Sequence, residues 1–473
     1  MIMKRIDASR REFLRTSSLL SVLGPAGVPF AMNLATIGAA AAQTADDYRA
    51  LVCVFFFGGN DHHNTVIATD PASWTEYQRL RSTPPDPIAL AAPGEAGGVL
   101  PIEPNTVQTG RTFALHPNLG PLKTLFDAGR AAVVANVGPL IAPMTKAQYS
   151  AGSVPRPPKL FSHNDQQSTW QAYAPEGARF GWGGRMGDLL ASRNAASTFT
   201  CLSVSGNAVW LAGQTTLQYQ VGPNGGIPIA GLTGTQFGSA TAGSVLRSIV
   251  TADRAHLLER ELNRVTARSI DAQVALNAAM LPADAVEAVP VVPGTTQSNA
   301  LAAQLQTVAR VIGGRSALGA KRQVFFVSIG GFDTHDAQKV NQGNLMTRIG
   351  QAVEYFDRLL ASPAVNALNE VTLFTASDFG RTLTSNGDGT DHGWGAHHFV
   401  SGGAVRGKDV YGRFPVIGVN TDDDVGQGRL LPGISVDQYA ATLGRWFGLS
   451  DAELADVFPN LRNFPLADLG FMA

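Results

Sequence analysis

Uninterrupted apolar runs of strand length recur along the chain, each closed by glycine and polar residues, with amphipathic stretches between them. Residues 48–57 (YRALVCVFFF), 131–137, 198–204, 323–329 and 371–375 are such runs. Continuous hydrophobicity without alternation predicts central strands covered on both faces. A further strand is predicted near 415–419. Three- and four-residue spacing of apolar side chains predicts helices over 119–127, from 161 through 170, up to 190 after Gly181–Arg185, over 244–280, 298–312 and 340–360, and near 436–447. Residues 70–115 are Pro-rich, and 139–160 hold five prolines, so both read as loop. Residues 206–243 form a Gly/Thr/Gln-rich excursion. Strand and helix alternate through most of the chain, which predicts an α/β fold with a mainly parallel sheet.

Bulk properties narrow this picture. The chain has 473 residues, 44% apolar and 15% charged, with 51 glycines, as expected of a folded protein with a large core and many loops. We read residues 43–473 as a single domain, with the excursion at 206–243 and a helical insertion at about 244–312. The formal net charge is −1 and no Lys/Arg run occurs, which argues against a nucleic-acid binder. Cys53 and Cys201 each sit inside an apolar run and are expected to be unpaired core residues. At the N-terminus, Ser9-Arg10-Arg11-Glu12-Phe13-Leu14-Arg15 precedes an apolar, small-residue stretch closing on Ala40-Ala41-Ala42. This resembles a twin-arginine export signal over residues 1–42 and implies a periplasmic or secreted protein with no membrane span in the mature chain.

Chemistry gathers at the strand ends. The run 48–57 exits on Gly58-Gly59-Asn60-Asp61-His62-His63. The run 323–329 exits on Gly330-Gly331-Phe332-Asp333-Thr334-His335. The run 371–375 exits on Ser377-Asp378-Phe379-Gly380-Arg381 and, after a loop, on Asp391-His392. Parallel strands place their carboxyl ends on one edge, where ligands of open α/β sheets bind. Carboxylates and imidazoles gathered in one crevice call for a cation. A divalent metal (Zn, Mn or Ca) is the expected cofactor, and it would lower the pKa of bound water toward neutrality.

The succession GGND…NT, SHND-Q, GWGGRMGD, GGFDTH and SDFGRT with GTDHGWGAHH resembles an uncharacterised twin-arginine-exported bacterial family, grouped by fold with the alkaline phosphatase–sulfatase superfamily. The resemblance implies a three-layer α/β/α sandwich with one or two metals at the strand ends. Carried over by motif, Asp61, Asp333, His335, Asp378 and His392 are the metal ligands it implies. Asp333 and His335 stand closer together than the superfamily pair, and Phe379 stands where a histidine is expected. Superfamily nucleophiles sit at a helix start, which makes Ser162 the first choice, although a plain helix cap accounts for it equally well. Thr65 and Thr334 are the runners-up.

Arg381 and Arg185 could grip phosphate or sulfate oxygens, or simply form salt bridges. His62 and His63 are accessory ligands or solvent-facing groups. His397 and His398 alternate along an incipient strand, so at most one can face the site. His116 and His163 are candidates for orienting a ligand. The leading expectation is an exported metal-dependent hydrolase of a small anionic phosphate or sulfate ester. Its rival is a non-catalytic exported binding or assembly protein with a degenerate metal site. A copper or iron oxidoreductase lacks its usual cysteine patterns here, and no G-x-S-x-G elbow occurs.

Overall fold

A computed structural model of the chain describes residues 47–473 apart from 233, 234 and 237, so the expected export signal at 1–42 lies outside the described residues. The strands are β1 (Arg49–Phe57), β2 (Val66–Ala68), β3 (Leu100–Ile102), β4 (Phe113–Leu115), β5 (Ala131–Gly138), β6 (Cys201–Ser203), β7 (Tyr219–Gly222), β8 (Gly225–Gly226), β9 (Arg322–Gly330), β10 (Val371–Ser377), β11 (Ala396–Ser401), β12 (Val410–Tyr411) and β13 (Ile434–Ser435). The helices are α1 (Pro71–Arg81), α2 (Gly120–Asp127), α3 (Lys146–Ala151), α4 (His163–Ala172), α5 (Trp182–Leu190), α6 (Ala242–Thr251), α7 (Leu257–Ala279), α8 (Ala300–Gly313), α9 (Gln338–Ala361), α10 (Val436–Phe447) and α11 (Asp451–Val457). No helix among the described residues is long and apolar enough to cross a membrane.

The main sheet runs β12-β5-β11-β10-β1-β9-β6-β7-β8, with β13 also on β5. β1 lies at its centre, parallel to both β9 and β10. Its apolar run has no polar face because both faces are covered. Ala50, Val52, Val54 and Phe56 join one core with α2, α8 and α9. Leu51, Cys53 and Phe55 join the other with α5, α10 and α11. Successive strand residues point to opposite faces, so one nine-residue strand feeds two cores. The result is a mixed α/β arrangement with a mostly parallel sheet, compatible with an α/β sandwich. Both cysteines are buried and unpaired.

One antiparallel strand matters for the site. β11 runs against both β10 and β5, so its start lies at the edge where β1, β9 and β10 end. The loop before it, carrying His392, is thereby delivered to that edge. Two glycines let these loops close on one another. A Cβ on Gly58, at φ +115°, would lie 2.4 Å from the Asp333 backbone nitrogen, and one on Gly59, at φ +80°, would lie 2.3 Å from the Phe379 ring. Only glycine serves at such positions.

Several expected elements differ. The strand expected near 415–419 is absent; Val410–Tyr411 pairs with β5 instead. Residues 70–115 are not irregular throughout, since they hold α1 and strands β3 and β4, which join β2 in a small sheet β2-β4-β3. α1 starts where Asp70 accepts from the Ser73 N–H at 3.1 Å and Pro71 opens the first turn. Loop 139–160 contains α3. The helix expected over 244–280 breaks between α6 and α7 without Pro or Gly. Carbonyls freed at the break are taken by α7 side chains: Asn263 Nδ2 donates to Ala252 O at 2.6 Å, and Arg260 donates to Arg254 O and Ala255 O, both at 3.1 Å. By contrast, α10 spans the expected residues, opened by a Ser435/Gln438 capping box and ended by Gly448 at φ +116°.

Candidate metal centre

The ends of β9 and β10, the start of α4 and the loop before β11 bring four donor atoms to one place. His392 Nε2 lies 3.0 Å from His163 Nε2 and 3.0 Å from His335 Nε2. Asp333 Oδ1 lies 2.9 Å from His335 Nε2 and 3.4 Å from each of the other two. A tetrahedral ion with ligands at about 2.0–2.1 Å spaces its donors roughly 3.3 Å apart. These separations are compatible with a ligand set. His163, Asp333 and His392 form one group able to hold an ion, and His335, Asp391 and His392 an overlapping one.

Hydrogen bonds behind the rings fix which nitrogens are bare. His163 Nδ1 donates to Asp378 Oδ2 at 2.7 Å, and His392 Nδ1 donates to the Phe161 carbonyl at 2.7 Å. A carboxylate and a carbonyl can only accept, so both Nδ1 atoms carry the proton. Both Nε2 atoms of the neutral rings then point lone pairs at each other across 3.0 Å. Something positive must lie between them, either a proton or a cation. Buried carboxylate and carbonyl partners of this kind are what orient histidine ligands in metal sites.

Charge is arranged to match. The Asp378 hydrogen bond raises the His163 pKa above its ordinary value against the pull of burial. Burial lowers that of His392, helped by the neighbouring His163 and Arg381 charges. Burial alone would push the Asp333 carboxyl up, but the Arg381 guanidinium, 2.9 Å away, holds it below the usual range. Asp333 therefore stays ionised and able to bind a cation. The open side lies at Asp333 and His335, whose side chains are 47% and 44% exposed.

The expected site residues divide clearly. Asp333, His335 and His392 converge. Asp378, expected as a ligand, stands behind His163; it also accepts from Gly58 N–H at 3.1 Å and Gln167 Nε2 at 2.8 Å, all on Oδ2. Its Oδ1 is buried with no protein partner. His163, expected to orient a ligand, takes the place among the donors that Asp378 was expected to fill. Asp61 is not in the group. It is fully buried against Arg81, which reaches Oδ1 at 2.8 Å, while Gln338 donates to Oδ2 at 2.6 Å.

Other candidates are similarly committed. Ser162 Oγ donates to Asp165 at 2.9 Å. Thr65 Oγ1 donates to Asp61 O at 2.8 Å and Thr334 Oγ1 to Gln338 at 3.1 Å, both buried. Arg381, also buried, spends its donors on Thr390, Gly58 O and Asp333. Arg185 donates to the Val457 carbonyl at the end of α11. Four histidines, His62, His63, His397 and His398, are buried apart from the cluster. Burial lowers the pKa of each, that of His398 to about 3. His116 caps a turn through Asn118 N–H at 3.1 Å, and burial lowers its pKa to about 4. Sequence reasoning underrated His163. Its signal was the SHND motif at a helix start, which sets the first helical side chain beside the strand ends.

A family model described as "Protein of unknown function (DUF1501)" matches residues 48–458. No curated protein matches the chain. Among solved structures, one described as "Crystal structure of Ps i-CgsB in complex with k-i-k-neocarrahexaose" is similar at 9% identity, covering 88% of this chain and 77% of that one, with a TM-score of 0.35.

Proposed function

The chain belongs to that family of unknown function, and from this premise we propose that it is an exported metal-dependent hydrolase of a phosphate or sulfate ester. The observation carrying this reading is the convergence of His163, His335 and His392 Nε2 with Asp333 Oδ1 at one carboxyl edge of the sheet. Such placement also fits the alkaline phosphatase–sulfatase kind of sandwich. Three imidazoles and one carboxylate suit Zn or Mn; Ca, which takes oxygen ligands, suits them poorly. A bound divalent ion would supply Lewis acidity toward an ester oxygen. Within the chain, Asp378 and Phe161 O hold two rings in the ligating tautomer, and Arg381 keeps Asp333 ionised. The ester would approach from the exposed His335 side.

One observation favours a second reading, a non-catalytic exported binding protein built on the same site. No hydroxyl expected as nucleophile is free: Ser162, Thr65 and Thr334 all donate within the protein. Metal analysis of the purified chain, paired with turnover of aryl phosphate and aryl sulfate, separates the two. Bound metal with turnover that disappears in His392→Ala supports hydrolysis. Bound metal with neither ester turned over supports the binding role, and a metal-free protein that takes up no added Zn or Mn refutes both.

A further inference from the structure

Arg429 grips the ligand candidate His392 from two sides. Its Nε donates to the His392 carbonyl at 2.6 Å and its Nη2 to Asp391 Oδ2 at 3.1 Å, which holds the main chain that carries the ring. Its guanidinium carbon also stands 5.2 Å from the centre of the Phe161 ring, within cation–π range. The Phe161 carbonyl is the acceptor that fixes His392 Nδ1. Phe161 has φ +71°, a left-handed conformation that a bulky residue keeps only where its surroundings hold it. One planar fork thus ties the backbone of His392 to the residue that orients its ring.

The fork is itself held in place. Loop 420–431 winds around the buried Asp424 carboxylate, which accepts from the backbone N–H groups of Asn420, Gly426 and Gly428 at 2.7, 2.6 and 2.8 Å. Arg429 Nη1 donates to the Gly426 carbonyl at 3.3 Å, and the Leu430 carbonyl accepts from the Gly395 N–H at 2.9 Å, three residues past His392. Asp391 belongs to the second donor set, with His335 and His392. The same arginine therefore also engages a carboxylate that could compete with Asp333 for the ion. Charge alone would give Arg429 the opposite effect. Taking a cation away from beside an ion site tightens binding by Coulomb's law, so weaker binding in a folded variant reports lost positioning.

We propose that Arg429 is a positioning residue of the metal centre, one that aims the His392 ring at the ion and keeps Asp391 off it; this rests on reading the cluster as a metal site. Three measurements on the purified chain test it: the Zn Kd by competition with a chromophoric chelator, the visible spectrum of the Co(II)-loaded protein, and the thermal midpoint of the metal-free protein. Arg429→Met is expected to raise the Kd about 10–100-fold, as loss of an orienting partner does, and to shift the Co(II) bands while the metal-free midpoint moves little. Arg429→Lys keeps the charge without the fork, so its Kd is expected to fall between the two. Should Arg429→Met fail to fold, Arg429→Lys decides. A folded variant with the wild-type Kd and spectrum overturns the proposal, even with a lowered midpoint, because the arginine would then only tie loops together. Tighter binding also overturns it and makes Arg429 a mere counter-charge to Asp391. A wild type that takes up no Zn, Mn or Co overturns the metal centre as well, whereas the other two failures leave that centre standing.

Discussion

Two groups of histidines sit within this fold and are built for opposite ends. His163, His335 and His392 lie at the sheet edge, meet a carboxylate, and turn Nε2 atoms toward one another within 3.0 Å. His62, His63, His397 and His398 lie beneath them, stacked with one another and with aromatic rings, His62 on His63 at 3.9 Å and His397 on Phe414 at 4.5 Å. No carboxylate reaches the buried group's ring nitrogens, and Nε2 of His62, His397 and His398 has no protein partner. His163 and His392 each have an acceptor on the far nitrogen and an acid beside the near one, and His335 meets the same acid. Burial alone yields a neutral aromatic ring that packs.

The hardest break in this comparison is to remove one ring from each group. His392→Ala deletes the nitrogen common to both overlapping donor sets. Loss of an orienting partner typically costs about 10–100-fold in metal affinity, so loss of the ligand itself is expected to cost at least the upper end of that range. His398→Ala is expected to leave metal stoichiometry unchanged. Titration of Zn or Mn into both variants checks this, and equal losses would erase the distinction between the groups.

Asp378→Asn probes the orienting layer alone. The amide keeps its volume but can present Nδ2 to His163, which inverts the ring tautomer and points the proton at the ion. Metal affinity is expected to fall about 10–100-fold, with the fold retained. An unchanged Kd in calorimetry would show that Asp378 does not set the His163 tautomer.

Acid sharpens the comparison from the other side. Burial lowers the His398 pKa to about 3, below its unfolded value near 6.5. The unfolded chain therefore binds the proton first. Stability is unaffected by this group above pH 6.5 and is lost as pH falls from there toward 3. Each histidine so placed contributes about 1.4 kcal/mol per pH unit, or about 2 kcal/mol between pH 6.5 and 5. Urea unfolding of chelator-treated protein at these two pH values is expected to show the loss, and His398→Phe to reduce it by that share. Identical pH slopes in the two proteins would mean that the His398 ring is hydrated in the fold.

How far the site was legible follows from what each residue depends on. β1, β9 and β10 could be read within two residues because continuous apolar runs and Gly-Asp exits are local signals. Asp333, His335 and His392 follow from those exits. Asp61 shared the same local signal, yet its partner Arg81 ends α1, inside a stretch whose prolines masked a helix. The Asp70-Pro71 start was nevertheless visible as a cap. Strands β2, β3 and β4, at three residues each, are too short for alternation to register. The roles of His163 and Asp378 were exchanged because they depend on where α4 lands against β10, a contact spanning 215 residues.

The smallest effect is expected at Ser162, and it decides how the site would work. A side chain at the first position before a helix either caps it or attacks from it. The Ser162 side chain does not cap: no backbone N–H of α4 donates to its Oγ, and the hydroxyl donates to Asp165 at 2.9 Å. Asp165 is also held by Lys159 at 3.3 Å, so the serine is one of several contacts ordering the loop that carries Phe161 O. Losing one partly exposed hydrogen bond costs about 0.5–1.5 kcal/mol. Ser162→Ala is therefore expected to lower stability by no more than that and to leave metal affinity within about threefold. Any ester turnover should survive, with water as the attacking group. Turnover reduced a hundredfold or more at unchanged metal content would instead make the hydroxyl the nucleophile and require the Asp165 contact to open during the reaction.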